Sequence, residues 1–301
     1  MKTLFTITGN LLAEYTFNTK SFKAGETVRA ESSSFQVGGK GVNVSQAAQI
    51  LGLKSQAIIF AAGIEGQKCK NCLAAEKLAY KAFEIDGNTR TGLVVRANNA
   101  ETTFLGKDIP VLESAFKKAV LYIKKAAKQN DIVALCGSFP GWKDSFGELL
   151  LKLCEEKNLV LCADTYGKPL NFFAFCNSAN RLGILKMNKK ELSGLFDIKI
   201  AYKKAFEKLL NTNCAKIFAV TNGGENSYIC ENGKIFENVP KPAKKIVSAT
   251  GCGDIVFAAL IKFIYCDNIA AAKAFETAQK IASHSAQSPK LIDIPKRYSA
   301  K

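Results

Sequence analysis

Val247 to Leu260 reads VSATGCGDIVFAAL, and the junction inside this stretch decides how the chain is organised. Gly251, Cys252, Gly253 and Asp254 stand directly before an apolar run at helical spacing: Ile255, Val256, Phe257, Leu260 and Ile261. Glycines at a helix entrance let the backbone turn tightly, so that several N–H groups converge on one point. The helix start adds roughly half a unit of positive charge there, which suits a phosphate group. An aspartate in such a seat would be repelled by the phosphate unless it had a task. The natural task is to take a proton from a hydroxyl that attacks phosphorus. By itself GCGD reads first as a glycine turn with Asp254 as an ordinary helix cap. It is not a Walker loop, because no Gly-Lys-Ser/Thr follows the glycines.

Upstream, strands and helices alternate. The pattern predicts helix Val111–Lys128, strand Asp131–Cys136, helix Asp144–Lys157, strand Leu159–Asp164, strand Leu182–Met187, helix Tyr202–Asn211 and strand Ala215–Thr221. A hairpin over Ser227–Cys230 and Lys234–Phe236 reverses at Asn232-Gly233. Downstream of the glycine loop, helices are expected over Ile255–Tyr265 and Ile269–Ser285. Such alternation gives a mostly parallel sheet with helices on both faces, and ligands on these sheets sit at the carboxyl ends of the strands. Ser138, Asp164, Asn188, Gly223 and the Gly251–Asp254 loop all fall at such ends.

The first third of the chain departs from that alternation. Strand Lys2–Thr8 is followed by two short, polar-faced strands, Leu12–Phe17 and Thr27–Phe35, before any helix. Then comes VGGKGVNV from Val37 to Val44, leading into a helix expected over Ser45–Leu51; its glycines and Lys40 form a second candidate anion seat. Strand Ser55–Ala62 and helix Lys68–Ala79 precede another strand pair, Asn88–Ala97 and Glu101–Gly106, which carries Arg90. The two early pairs point to a small β-flap set apart from the main sheet. Arginine suits bidentate phosphate contact, although an exposed arginine is more commonly just solvated.

Composition narrows the partners. The 301 residues are 48% hydrophobic and carry a formal net charge of +16, which favours an anionic ligand. The surplus is lysine spread along the chain, with no basic arm or aromatic-basic ladder, so nucleic acid is not expected as a partner. Ten cysteines lie at irregular spacings; Cys69 and Cys72 form a lone C-x-x-C with no second pair, which argues against structural zinc. A reduced, cytoplasmic protein is expected, with neither signal peptide nor membrane span.

These motifs, taken in order, resemble the ribokinase-like (phosphofructokinase B) carbohydrate kinases, in particular their 1-phosphofructokinase and tagatose-6-phosphate kinase branch. Gly38 to Val44 is similar to the family's N-terminal signature and Ala249 to Asp254 to its C-terminal one. Thr89-Arg90, Glu101 to Thr103, Gly137 to Pro140, Ala163 to Gly167 and Asn188 to Glu191 fall between them in the family's order. The resemblance covers nearly the whole chain. It implies an α/β fold in which a mostly parallel sheet with helices on both faces carries a small β-lid, built from about 11–36 and 88–107 of a single domain spanning 1–301. It implies ATP-dependent phosphorylation of a sugar hydroxyl with Mg2+, Asp254 being the base and the Gly251, Cys252 and Gly253 amides the anion hole. Glu14, Gly39, Lys40, Asn43, Arg90 and Ser138 would hold the acceptor. Asn188 and Glu191 would organise magnesium and the ATP phosphates through water, and Asn222, Gly224 and Ser283 would approach the nucleotide. The lid is also a candidate surface for a homodimer.

Lys40, Arg90 and the positive balance favour a ketohexose phosphate (fructose 1-phosphate, fructose 6-phosphate or tagatose 6-phosphate) as acceptor. A ribokinase- or nucleoside-kinase-like activity on an uncharged acceptor is the alternative, and a non-catalytic sugar or nucleotide sensor is the rival of another class. The chain departs from the family pattern at several positions. Glu14 replaces the usual aspartate, Leu11 a proline, Met187 the proline before Asn188, Cys252 an alanine, Ile255 a small polar residue and Asn226 a glycine. Gly137 to Pro140 lacks a second proline. The Glu14 exchange bears on which sugar is gripped.

Overall fold

The computed structural model describes residues 2–98, 100–176, 181–196, 201–241 and 245–299. The first third contains β1 (Thr3–Thr8), β2 (Leu12–Asn18), β3 (Ser32–Gly38), α1 (Lys40–Ile50), β4 (Lys54–Ala61), α2 (Gly63–Ala75), β5 (Tyr80–Glu84), β6 (Arg90–Ala97) and β7 (Ala100–Leu105). Then come α3 (Glu113–Ala126), β8 (Ile132–Gly137), α4 (Asp144–Glu156), β9 (Val160–Thr165), α5 (Lys168–Phe175), β10 (Leu182–Asn188), α6 (Lys189–Leu195) and α7 (Tyr202–Leu210). The chain continues through β11 (Ala215–Thr221), β12 (Ser227–Glu231), β13 (Lys234–Asn238), α8 (Cys252–Tyr265) and α9 (Ala271–Ser285).

Among the described residues, nine strands form one sheet in the order β13-β12-β11-β10-β9-β8-β1-β4-β5, and four form a second, β3-β2-β6-β7. The large sheet is parallel from β5 across to β11; the β12–β13 hairpin closes one edge antiparallel. Its strands read as apolar runs because both faces are covered. Along β1, Phe5 and Ile7 face a core with Phe116, Phe139 and Phe146, while Leu4 faces the other core with Val44, Phe257 and Phe275. Helix α8 is buried on nearly every side because it packs between α1 and α9.

In the small sheet, β2 pairs with β6 in parallel, matching Leu12 to Arg90 and Glu14 to Gly92. Side chains two apart share a face, so this register sets Leu12, Glu14 and Arg90 on one side. The mostly parallel sheet, the helices on both faces and the separate small sheet agree with the expected fold class.

Several local expectations are corrected. Helix α1 begins at Lys40, not Ser45, and so includes Gly41. A Cβ on Gly41 would stand 2.3 Å from Thr8 Oγ1, so close packing on β1 overrides glycine's poor helix propensity. Helix α2 begins at Gly63 rather than Lys68; no local side chain caps it, but the distant Asn88 Oδ1 accepts from the Glu65 N–H at 3.2 Å. β3 lies at Ser32–Gly38 instead of Thr27–Phe35, because pairing with β2 sets its register. The edge strand β5 and the helix α5 were not expected. β5 has little apolar alternation, and α5 carries Pro169 in its first turn, where proline is tolerated.

Candidate active site

Helices α1 and α8 lie side by side, and their N-terminal ends open on one cleft. The cleft, about 530 Å3, runs beneath the small sheet along the carboxyl ends of the large-sheet strands. Leu12, Glu14 and Arg90 line it from the small sheet. The α1 entrance gives Gly39, Lys40 and Asn43, and the α8 entrance gives Gly251, Cys252, Gly253 and Asp254. Lys186 and Asn188 reach it from β10, and Gly224 and Ser283 line its far end.

The early start of α1 matters here, because it sets Lys40 and Asn43 one turn apart on the same helix face. The Asn43 amide donates to Asp254 Oδ2 at 2.7 Å. Asp254 is only 5% exposed. Burial pushes its carboxyl up to about 6; Asp164 adds to that rise, while Lys40, Lys186 and the Asn43 bond oppose it. Gly251 takes a left-handed φ of 81° and comes so close to Leu291 that a Cβ would stand 2.5 Å from its carbonyl oxygen. The Gly253 and Asp254 amides fall in the first turn of α8, where N–H groups lack intrahelical acceptors. The Cys252 amide is partly engaged, donating to the Ala249 carbonyl at 3.3 Å.

Behind these groups runs a chain of buried charges that the sequence reading did not assemble. Lys186 Nζ donates to Asp164 Oδ2 and Lys40 Nζ to Asp164 Oδ1, each at 2.8 Å, and Lys40 also reaches Glu191 Oε1 at 3.2 Å. Burial alone would raise Asp164, but Lys186 and Lys40 hold it below the usual carboxylate range. Burial likewise opposes the charge on Lys40, yet Asp164, Glu191 and Asp254 more than offset it and raise that ammonium. A Cβ on Gly253 would meet Lys186 Nζ at 2.9 Å, so this ammonium sits against the α8 entrance. Two ammonium groups thus face three carboxylates, a local balance of one negative charge. The sequence does hold a signal for the pair: Lys186 and Asp164 each interrupt an apolar strand, LGILKMN and VLCADT, where a lone charge requires a partner.

Asn188 and Glu191 cap α6 reciprocally: Asn188 Oδ1 accepts from the Glu191 N–H at 2.9 Å and Glu191 Oε2 from the Asn188 N–H at 2.8 Å. Both Glu191 carboxylate oxygens are therefore engaged, and Glu191 lies off the cleft lining. Glu14 accepts from the Gln36 amide, and burial raises its carboxyl. Ser138 is off the lining too; its Oγ accepts from Asn10 Nδ2 at 2.9 Å. Asn222 turns away to donate to Glu225 Oε2 at 2.8 Å. Arg90 donates through Nη1 to Asp108 Oδ1 at 2.9 Å.

Two buried polar atoms of cleft-lining residues, Asn43 Oδ1 and Arg90 Nε, have no partner. Buried donors and acceptors are normally satisfied, so these two are suited to a polar, partly anionic ligand. Among the described residues no group of three or more His, Cys, Asp or Glu side chains could hold a metal ion.

The family model for pfkB family carbohydrate kinases matches residues 2–297. The chain belongs to this family. It is therefore a phosphotransferase with an alcohol group as acceptor, on a ribokinase-like fold. As a pfkB kinase it is 27% identical to a 1-phosphofructokinase of Bacillus subtilis over 264 residues, covering 86% of this chain and 84% of the relative. It is 25% identical to a tagatose-6-phosphate kinase of Staphylococcus epidermidis over 264 residues, 85% of this chain and 84% of that one. In fold it is similar to phosphofructokinase-2 of Escherichia coli, with TM-score 0.84 and 22% identity over 94% of this chain and 92% of the other. Ribokinase of Thermotoga maritima is similar with TM-score 0.75 and 16% identity, over 100% and 96% of the two chains. No helix among the described residues is long and apolar enough to cross a membrane.

Proposed function

We propose that the protein transfers the γ-phosphoryl group of ATP to a hydroxyl of a ketohexose phosphate, with Asp254 as general base. The observation that carries this reading is a buried carboxylate, raised to about 6, at the entrance of α8 in a cleft roofed by the small sheet. A base poised slightly below neutral pH is ionised when substrate arrives and still accepts a proton readily. Asn43 holds Oδ2, which leaves Oδ1 to take the hydroxyl proton.

The acceptor's own phosphate is drawn to Arg90, whose Nε is buried and unsatisfied, while Glu14 and Gly39 border the sugar. An acceptor of this class accords with the names of the Bacillus and Staphylococcus relatives. Phosphoryl transfer needs alignment and charge neutralisation more than covalent help. The Gly253 and Asp254 amides supply donors around the transferred group, and the Lys40 and Lys186 ammonium groups border it with their charge shared by Asp164 and Glu191. The small sheet acts as a lid that excludes water. ATP enters from the end lined by Gly224 and Ser283, with Asn222 behind the same loop. Magnesium would arrive with the nucleotide and neutralise its phosphates. Because Glu191 is already engaged by Lys40 and the α6 cap, it and Asn188 fit this ion through water rather than by direct ligation.

We further propose that the enzyme works in the cytoplasm, where buried thiols such as Cys69, Cys136, Cys162 and Cys214 stay reduced. Exposed Phe17, Phe104 and Leu105 on the small sheet suit pairing of two subunits through the lid, which the mass in solution tests.

A coupled ATPase screen over fructose 1-phosphate, fructose 6-phosphate, tagatose 6-phosphate, fructose, ribose and adenosine tests the acceptor class. Turnover with a ketohexose phosphate is expected. Turnover only with ribose or adenosine would reverse the assignment, and no turnover with any acceptor would favour the sensor.

A further inference from the structure

Arg90 stands at the start of β6, and its stem is fixed by the residue before it. The Thr89 N–H donates to the Ala62 carbonyl and Thr89 Oγ1 accepts from the Ala62 N–H, both at 2.9 Å. Its guanidinium then meets Asp108, on the connection from β7 to α3, which no motif singled out. One oxygen, Asp108 Oδ1, accepts from Arg90 Nη1 at 2.9 Å and from Asn10 Nδ2 at 3.0 Å. Asn10 also donates to Ser138 Oγ. Asp108 thus joins the small sheet to loops at the carboxyl ends of β1 and β8. The connection is pinned on either side of Asp108, by Gly106 N–H to the Thr91 carbonyl at 2.8 Å and Val111 N–H to the Pro140 carbonyl at 2.9 Å.

We infer that Asp108 is a positioning residue for the acceptor: it clamps Nη1 of the Arg90 guanidinium at the cleft wall and leaves the Nε–Nη2 edge uncommitted. The inference rests on the reading of Arg90 as the contact for the acceptor's phosphate. A guanidinium carries five donors in a rigid fork, so holding Nη1 leaves the Nε–Nη2 edge for bidentate contact with a phosphate. That edge is where the unsatisfied Nε lies. A free arginine must surrender much rotamer freedom when it binds, and a clamp sets that cost before the ligand arrives.

The alternative is that Asp108 competes with the phosphate for Arg90. Exposure decides against it. The Asp108 side chain is 52% exposed against 13% for Arg90, so water screens the carboxylate's repulsion of an incoming anion while the guanidinium stays shielded. Asp108 also contacts Asn10, which keeps it in place when the phosphate binds.

The test measures KM for ATP, KM for the best of the three ketohexose phosphates, and thermal unfolding in Asp108→Ala, Asp108→Asn, Arg90→Ala and the double variant Arg90→Ala/Asp108→Ala. Arg90→Ala is expected to raise the acceptor KM about 10–100-fold, the worth of a charged hydrogen bond. Asp108→Ala should raise it by about 10-fold with KM for ATP unchanged. Asp108→Asn, which keeps an acceptor oxygen for Nη1, should restore most of the loss. The double variant should be no worse than Arg90→Ala, since the clamp acts only through Arg90. A fall in acceptor KM in Asp108→Ala would mean competition and overturn the inference. So would an unchanged acceptor KM beside an impaired Arg90→Ala, or equal rises in both KM values with a lowered melting temperature. An unimpaired Arg90→Ala would remove the reading of Arg90 itself, and the clamp with it.

Discussion

Replacing Asp254 with asparagine should cripple the enzyme and stabilise the protein, and the size of the second effect follows from the buried charges. Folding raises the Asp254 carboxyl from 3.8 to about 6, chiefly by desolvation. A raised carboxyl contributes stability only while protonated: the contribution is complete below 3.8 and is lost as the pH climbs through about 6. At about 1.4 kcal/mol per pH unit, the ionised side chain costs the folded state roughly 3 kcal/mol at pH 7.5. The neutral amide of Asp254→Asn would remove that cost and bring the cluster of Lys40, Lys186, Asp164 and Glu191 to electrical balance. Its carbonyl can still accept from Asn43, though a neutral bond is weaker than a charged one by roughly 1 kcal/mol. The net gain should be about 1–3 kcal/mol. Spread over the unfolding entropy of a chain this long, that is a rise in Tm of about 2–5 °C. Melting both proteins at pH 7.5 and pH 4.5 checks it, because at pH 4.5 the wild-type penalty has fallen to about a third and the gain should shrink by about half or more. Turnover should drop by roughly 10²–10⁴ in the same variant. A variant that melts below the wild type at pH 7.5, or gains equally at both pH values, would refute the reasoning about the charge. Unchanged turnover would refute the base.

Three further outcomes are expected. The pH dependence of kcat/KM should show an acid limb near 6, with activity rising as Asp254 ionises, and a limb displaced by more than a unit would reassign the titrating group. Lys186→Met leaves Asp164 with Lys40 alone and the cluster more negative, so urea unfolding should report a loss of about 3–5 kcal/mol, as for other broken buried pairs. Gly251→Ala must hold a left-handed φ and displace the Leu291 carbonyl; a loss of about 1–3 kcal/mol and a lower kcat are expected, and a neutral result would mean the α8 entrance is less constrained than its contacts indicate.

Family resemblance in the motifs made much of the candidate site's lining legible in the sequence. Gly39, Lys40, Asn43, Arg90, Asn188 and the Gly251–Asp254 loop do meet in one cleft. Glu191 and Ser138 were legible as motif members but not in their surroundings, since one is tied up by Lys40 and a helix cap and the other by Asn10. Asp108 left no trace in its local sequence, because an aspartate beside a lysine in a connecting loop looks like any solvated loop residue.

The sequence by itself determined the alternation of strands and helices, with the mostly parallel sheet that it implies, and the glycine-rich entrances of α1 and α8. These are short-range properties: period, propensity and turn chemistry are written within a few residues of one another. Only the tertiary structure decided that α1 begins at Lys40, that β2 joins β6 in parallel and brings Arg90 beside Leu12, and that Lys186 and Lys40 share Asp164. Each depends on groups distant along the chain, Thr8 against Gly41 or Asp164 between two lysines, and burial makes those meetings obligatory by leaving a close-packed backbone or a dehydrated charge no other partner.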